Sequence, residues 1–164
     1  MYAELFYLLT VFMGVLLCWL WFVDYKLNYP ERIGPKIGSI LDLSDFDTID
    51  SLEQHNKKEE QLYLFVSVDC FQCKEMLSRI QRDYLKYQDF VTIAAVGEKS
   101  DIAEWKTSQN YDFPIICINF EQLQNEFNIT IFPFAVKIKD LKVEEKSISY
   151  EQYLEEFETV GLIT

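Results

Sequence analysis

Basic residues are in short supply: the 164-residue chain has 15 Lys and Arg against 27 Asp and Glu, a net charge of −12. A protein that binds nucleic acid by neutralising phosphates needs the opposite balance, so that class is excluded. Histidine is nearly absent, with His55 alone, and the only cysteines are Cys18, Cys70, Cys73 and Cys117. A structural zinc site usually takes four Cys or His ligands, and Cys18 sits inside an apolar run, so zinc is disfavoured. There is no internal repeat and no low-complexity tract. Phe, Tyr, Ile, Leu and Val are spread along the whole chain after residue 25, which excludes a disordered tail protein. The length allows one ordinary domain and a modest appendage.

Charge is missing altogether from one stretch. Between Glu4 and Asp24, the 19 residues Leu5 to Val23 contain no charge and no proline. The mean hydropathy of −0.05 therefore averages two unlike polymers. As a helix the run is roughly 28 Å long, close to a hydrocarbon core of about 30 Å, which predicts a single membrane span. Tyr2, Phe6 and Tyr7 at one end and Trp19, Trp21, Phe22 and Tyr25 at the other suit the headgroup layers. A cleaved signal peptide needs a basic start and small residues before the cut, and neither is present. Leu17 before Cys18 is not the small residue that precedes a lipoprotein cysteine. Lys26, Arg32 and Lys36 follow the run and no Lys or Arg precedes it, so the positive-inside rule read literally places the C-terminal part in the cytosol.

Residues 26–45 contain Pro30, Gly34, Pro35 and Gly38 and read as a linker and lead-in to a domain over 46–164. Phe46, Ile49 and Leu52 at three-residue spacing predict a short helix over 46–58. Leu62 to Val68 reads as a buried strand, and from Phe71 to about Tyr87 the residues Met76, Leu77, Ile80, Tyr84 and Leu85 recur at helical spacing. Phe90 to Val96 is a second strand, and a helix capped by Ser100 runs to about Gln109. Phe113 to Ile118 is a third strand, followed by a short helix over 120–127. Pro133 to Ile138 and Leu141 to Ile148 form a hairpin turning near Lys139-Asp140, and a last helix from Tyr150 to about Val160 turns Tyr153, Leu154 and Phe157 inward. Strands alternating with helices, then a hairpin and a helix, predict an α/β domain with a central mixed sheet covered on both faces.

Cys70-Phe71-Gln72-Cys73 stands at the first strand-to-helix junction. A C-x-x-C pair serves zinc, haem attachment and redox chemistry alike. Zinc is disfavoured above, and Lys74 stands where haem attachment requires histidine. At a helix N-terminus, unpaired N–H groups and the positive end of the dipole favour a thiolate at Cys70. Cys73, one turn on, is shielded. Cys70 is then the thiol that exchanges with a client, and Cys73 the one that resolves the mixed disulfide.

The apolar strand, Cys70-Phe71-Gln72-Cys73, the helix, and a Phe132-Pro133 opening a later strand resemble the thioredoxin-like fold. The lead-in Ile33 to Leu43, the extra helix and strand between Gly97 and Phe120, and the N-terminal span narrow the resemblance to membrane-anchored TlpA-like thiol:disulfide oxidoreductases. That group includes cytochrome c maturation reductases and methylamine-dehydrogenase accessory proteins. The resemblance covers roughly residues 33–160. It implies that Pro133 is a cis-proline beside the redox pair, and that Phe132 offers its backbone to an extended client segment. With Phe71 and Gln72 it would form the substrate-binding rim. The resemblance further implies no cofactor, a client protein with thiols or a disulfide, a redox partner thiol protein, and a single-pass location in the cell membrane with an extracytoplasmic domain. This last point opposes the literal charge count.

The sequence departs from thioredoxins proper, which carry Trp-Cys-Gly-Pro-Cys and a buried acid in the preceding strand, where this chain has Leu64. Asp69 and Glu75 oppose a thiolate at Cys70, while the helix terminus and Lys74 support it. No histidine separates the cysteines, which favours a reductant or isomerase role over an oxidase. A non-catalytic thioredoxin-like binding or assembly module is the alternative. Cys117, Trp105 and Phe113 read as core, Cys18 has no evident chemistry, and His55 reads as solvated. Glu144-Glu145 and Glu155-Glu156-Glu158 read as a solvated face. Asn128-Ile129-Thr130 matches a glycosylation acceptor that arises readily by chance.

Overall fold

The apolar N-terminal run lies in one continuous helix, α1 (Tyr2–Arg32), in the computed structural model, which describes residues 2–44, 46–49 and 60–159. Two compact units result, Met1–Arg32 and Ile33–Thr164. Along α1 the side chains of Phe6, Leu9, Phe12, Val15, Leu17 and Trp19 are exposed. Among the described residues, no helix is long and apolar enough to cross a membrane, so the structure does not support the single span expected from the sequence. The helix continues past residue 25, and the lead-in from Ile33 belongs to the second unit. There Ile33, Leu41 and Leu43 are buried.

The second unit is built on a six-stranded sheet. Its strands are β1 (Thr48–Ile49), β2 (Glu60–Ser67), β3 (Val91–Val96), β4 (Ile115–Ile118), β5 (Phe134–Lys139) and β6 (Lys142–Ser147), in the order β1-β4-β3-β2-β5-β6. β2, β3 and β4 are parallel neighbours, whereas β1, β5 and β6 pair antiparallel. This is the mixed sheet of a thioredoxin-like α/β fold. Parallel neighbours need long crossovers, supplied by α2 (Phe71–Arg82) with α3 (Tyr84–Tyr87), and by α4 (Lys99–Gln109). α5 (Phe120–Phe127) leads from β4 to β5, and α6 (Glu151–Thr159) closes the unit.

Alternation along β2 explains why both faces must be covered. Leu62, Leu64 and Val66 join Cys73, Met76, Leu77 and Ile80 of α2 and Tyr153 and Leu154 of α6 in one core, all nearly inaccessible. Tyr63 and Phe65 point to the other face, where Phe65 meets Phe127 of α5 at 6.1 Å. Each fully buried aliphatic side chain contributes about 1.5–3 kcal/mol. Trp105, Tyr111 and Phe113 pack edge-on and stacked at 5.4 and 4.9 Å, which settles Trp105 and Phe113 as core.

Three local expectations are corrected. The helix expected over 46–58 does not begin as one. Thr48 and Ile49 instead form β1, paired with Ile116 and Ile115, and the Asp47 carbonyl accepts the Cys117 N–H at 2.7 Å. Three-residue spacing of Phe46 and Ile49 fits either element, and the open edge of β4 decides. Leu52, His55 and the rest of 50–59 lie outside the described residues. The helix expected from Phe71 to Tyr87 breaks at Asp83, whose N–H turns back to the Ile80 carbonyl at 3.1 Å. α4 starts from Glu98 rather than Ser100, whose hydroxyl bonds Asp101 instead. The hairpin turns at Asp140 and Leu141, both with positive φ. The side chains of Phe157 and Glu158 lie outside the described residues.

Tyr63 provides a pH test of the packing. It is 1% exposed, and burial, then the Asp42 carboxylate, push its hydroxyl from 10.0 up to about 12. The folded state therefore holds this proton more tightly than the unfolded chain. Its contribution is complete below pH 10 and is lost as pH rises towards 12, a decline of roughly 2–3 kcal/mol. Denaturant titrations across that window should show the decline in the wild type and a shallower one in Tyr63→Phe. Parallel curves would exclude Tyr63 as its source.

Candidate active site

The position of the cysteines follows from how β2 ends. The chain leaves Ser67, whose carbonyl accepts the Cys70 N–H at 3.1 Å, and Cys70 becomes the N-cap of α2 in an extended conformation. Its Sγ accepts the Cys73 N–H at 3.1 Å, the place a capping serine or aspartate oxygen would take. Cys70 and Cys73 form a disulfide with Cα atoms 5.2 Å apart. The two sulfurs are not equivalent, since Cys70 is half-buried and Cys73 is fully buried. Phe71 and Gln72, between them, are exposed, Phe71 by 79%.

The sheet register brings in the proline. Phe134 pairs antiparallel with Phe65, so the residues just before Phe134 run beside the C-terminal end of β2, the end that leads to Cys70. Phe132-Pro133 is a cis peptide bond there. Phe132 and Cys70 pack against the same core cluster, and Pro133 and Gln72 line the same groove. This groove, about 740 Å³, runs along α2 past Glu75, Arg79 and Arg82, with residues 148–151 as its other wall. Phe132 and Pro133 thus come to the end of the sheet from which Cys70, Phe71, Gln72 and Cys73 follow. The outer groove was missed, because Arg79 and Arg82 read only as the polar face of a helix.

Electrostatically, α2 has no acidic residue in its first turn, so nothing within that turn counters the helix terminus. Leu64 is fully buried at the position compared above with the thioredoxin acid. Among the described residues, the buried polar or charged side chains are Gln61, Lys106 and Lys137, none of them a carboxylate. Along the groove, burial and then the Glu151 charge push the Tyr150 hydroxyl up, and Arg79 partly offsets this. Among the described residues, no cluster of three His, Cys, Asp or Glu is placed to hold a metal.

Cys117 lies elsewhere, in a smaller hollow of about 270 Å³ at the end of β4 with Gly97, Lys99 and Asn119. It is 8% exposed, and burial pushes its thiol up. An Asp47–Lys99 ion pair at 3.3 Å lines the same hollow.

Against known proteins the agreement is one of shape. No family model matches the sequence, and no curated protein is significantly similar. Among solved structures, StoA from Bacillus subtilis aligns at TM-score 0.51 and 20% identity, over 66% of this chain and 95% of that one. A putative protein disulfide isomerase from Bacteroides thetaiotaomicron aligns at 0.57 and 14%, over 80% and 93%. A thiol-disulfide isomerase from Corynebacterium glutamicum aligns at 0.56 and 9%, over 77% and 97%. The fold is thioredoxin-like, and it carries a C-x-x-C disulfide at the N-terminus of α2.

The burial difference can be read chemically. After reduction of the full-length protein, iodoacetamide followed at peptide level by mass spectrometry should modify Cys70 at least about tenfold faster than Cys73 or Cys117. Equal rates at Cys70 and Cys117 would contradict this ordering.

Proposed function

We propose that the protein is a membrane-tethered thiol:disulfide oxidoreductase acting on a client protein through Cys70 and Cys73. The observation that carries this reading is the half-buried Cys70 disulfide-bonded to the buried Cys73 at the start of α2, beside the groove that contains Pro133. In the oxidising direction a client thiolate attacks Cys70 Sγ, the Cys70–Cys73 bond breaks, and Cys73 leaves as a thiolate that takes up a proton. A second client thiolate then attacks the client sulfur of the mixed disulfide and releases Cys70. The client loses two electrons and gains a disulfide, while the protein gains two thiols. The reducing direction is the reverse, with Cys70 attacking the client disulfide and Cys73 resolving the adduct. With no histidine between the cysteines, the reducing or isomerising direction is favoured. A redox partner thiol protein then restores the pair, and no cofactor takes part.

Phe132 presents its backbone beside Pro133 to an extended client segment, and Phe71 and Gln72 form the adjoining rim. The apolar run within α1 is the anchor, and the unit Ile33–Thr164 is the redox domain. Exposed Leu, Val, Phe and Trp side chains along α1 support the anchor, because water does not favour so continuous an apolar surface. The soluble domain faces the extracytoplasmic side of the cell membrane.

Cys70→Ser should reduce client turnover to the uncatalysed level. Cys73→Ser should instead arrest it as a mixed disulfide that can be isolated and identified by mass spectrometry. Full activity of both variants would leave a non-catalytic binding role as the surviving reading. Applied to intact cells, an impermeant thiol reagent should label the reduced Cys70 of Cys73→Ser. Labelling only after lysis would place the domain in the cytosol.

A further inference from the structure

Gln72, Glu75, Arg79 and Arg82 are spaced to lie along one face of α2, and all four line the groove that contains Pro133. Along the helix axis, Arg79 stands roughly 10 Å and Arg82 roughly 15 Å beyond Gln72. Glu75 and Glu151 also line the groove, but among the described residues neither is in an ion pair with an arginine. Glu151 accepts the Ser149 hydroxyl at 3.0 Å and lies in the first turn of α6, where the helix dipole favours it. Arg79 lies against the Tyr150 hydroxyl. Among the described residues, neither arginine is in an ion pair. A basic last turn suits the dipole of α2, but that accounts for arginine on any face of the turn. It does not explain why both lie along the groove that Gln72 and Pro133 also line, in a chain with so few bases.

Resting on the redox reading above, we propose that this groove holds the client segment next to the reactive cysteine. In it, Arg79 and Arg82 select an Asp or Glu four to six residues from that cysteine. From Cys70 the axial distances are roughly 14 and 18 Å and an extended chain advances about 3.3 Å per residue, so four residues reach Arg79 and five or six reach Arg82. The net charge of −12 repels acidic clients at long range, so the selectivity is one of position rather than of total charge.

The test uses the full-length protein with Cys73→Ser, reduced, and a pair of isomeric cysteine peptides activated as 2-thiopyridyl disulfides. One peptide carries Glu four residues from the cysteine and the other carries it nine residues away. The Cys70 thiolate attacks the peptide sulfur, the peptide–thiopyridyl bond breaks, and the Cys70–peptide disulfide forms. The departing thiopyridyl sulfur takes the electron pair and a proton, and its absorbance reports the rate. The near-Glu peptide should react about two- to five-fold faster, as expected for exposed ion pairs. The ratio should fall to about one in Arg79→Gln/Arg82→Gln, survive in Arg79→Lys/Arg82→Lys, and shrink at high salt. A ratio of one in the parent protein, or a ratio indifferent to the Arg→Gln changes, overturns the proposal while leaving the redox reading intact. A preference for glutathione disulfide over both peptides, lost with the same changes, also overturns it and assigns the arginines to a small acidic thiol. If Cys70 reacts with the peptides no faster than free cysteine, the redox reading falls as well.

Discussion

The hydrogen-bonded register between β2 and β5 is the constraint on which the site depends. Phe65 pairs with Phe134, and because the strands are antiparallel, the entry to β5 must lie beside the exit from β2. Cys70 is three residues past that exit, and Pro133 one residue before that entry. A slip of one residue would turn every side chain of β5 to the other face, putting Phe134 where Ala135 fills the α2 side. Packing guards the register: Gly34, with φ of +81°, leaves space that the Phe134 ring occupies, and a Cβ there would collide with that ring. Its N–H is held by the Asn128 carbonyl at 2.9 Å, so the lead-in fixes the floor beneath the proline strand.

From that register the chemistry of the pair follows by burial. Both sulfurs sit in the first turn of α2, but Cys73 is enclosed by the core that Leu64, Val66, Met76 and Ile80 also build. An attacking group therefore reaches Cys70 first in either direction of exchange. Among the described residues, the same core contains no buried carboxylate. Of the buried polar side chains, Lys137 is opposite Leu62, near the far end of β2, and its ammonium lies 3.6 Å from Glu144. The place compared with the thioredoxin acid is taken by Leu64, buried in the same core. This sets the chain apart from thioredoxins proper.

The parts of the fold written in local pattern were legible in the sequence. β2 is a run of bulky apolar residues, α2 has apolar residues at helical spacing, and Phe132-Pro133 resembles the thioredoxin-like proline strand. The elements that escaped are settled by distant partners. Thr48 and Ile49 become a strand because the β4 edge offers Ile115 and Ile116. Asp83 breaks a pattern that contains no glycine or proline, by a turn back to the Ile80 carbonyl. The redox pair was legible because strand, cysteines and helix are contiguous. The groove was not, since one wall is the outer face of α2 and the other is the segment before α6, some seventy residues later in the sequence.

The surface beside the disulfide is shaped by what the interior of the second unit has already filled. Phe71 stays 79% exposed beside the disulfide, although turning it inward would remove much of an aromatic side chain from water. Cys73, Met76 and Leu77 already fill the inner face of α2, leaving no vacancy for that ring. Its neighbour Gln72 starts the groove and Pro133 borders it, so apolar surface at the cysteines gives way within two helical turns to arginine. Such a gradient distinguishes ligands by the order of their side chains, which a uniformly apolar groove cannot do.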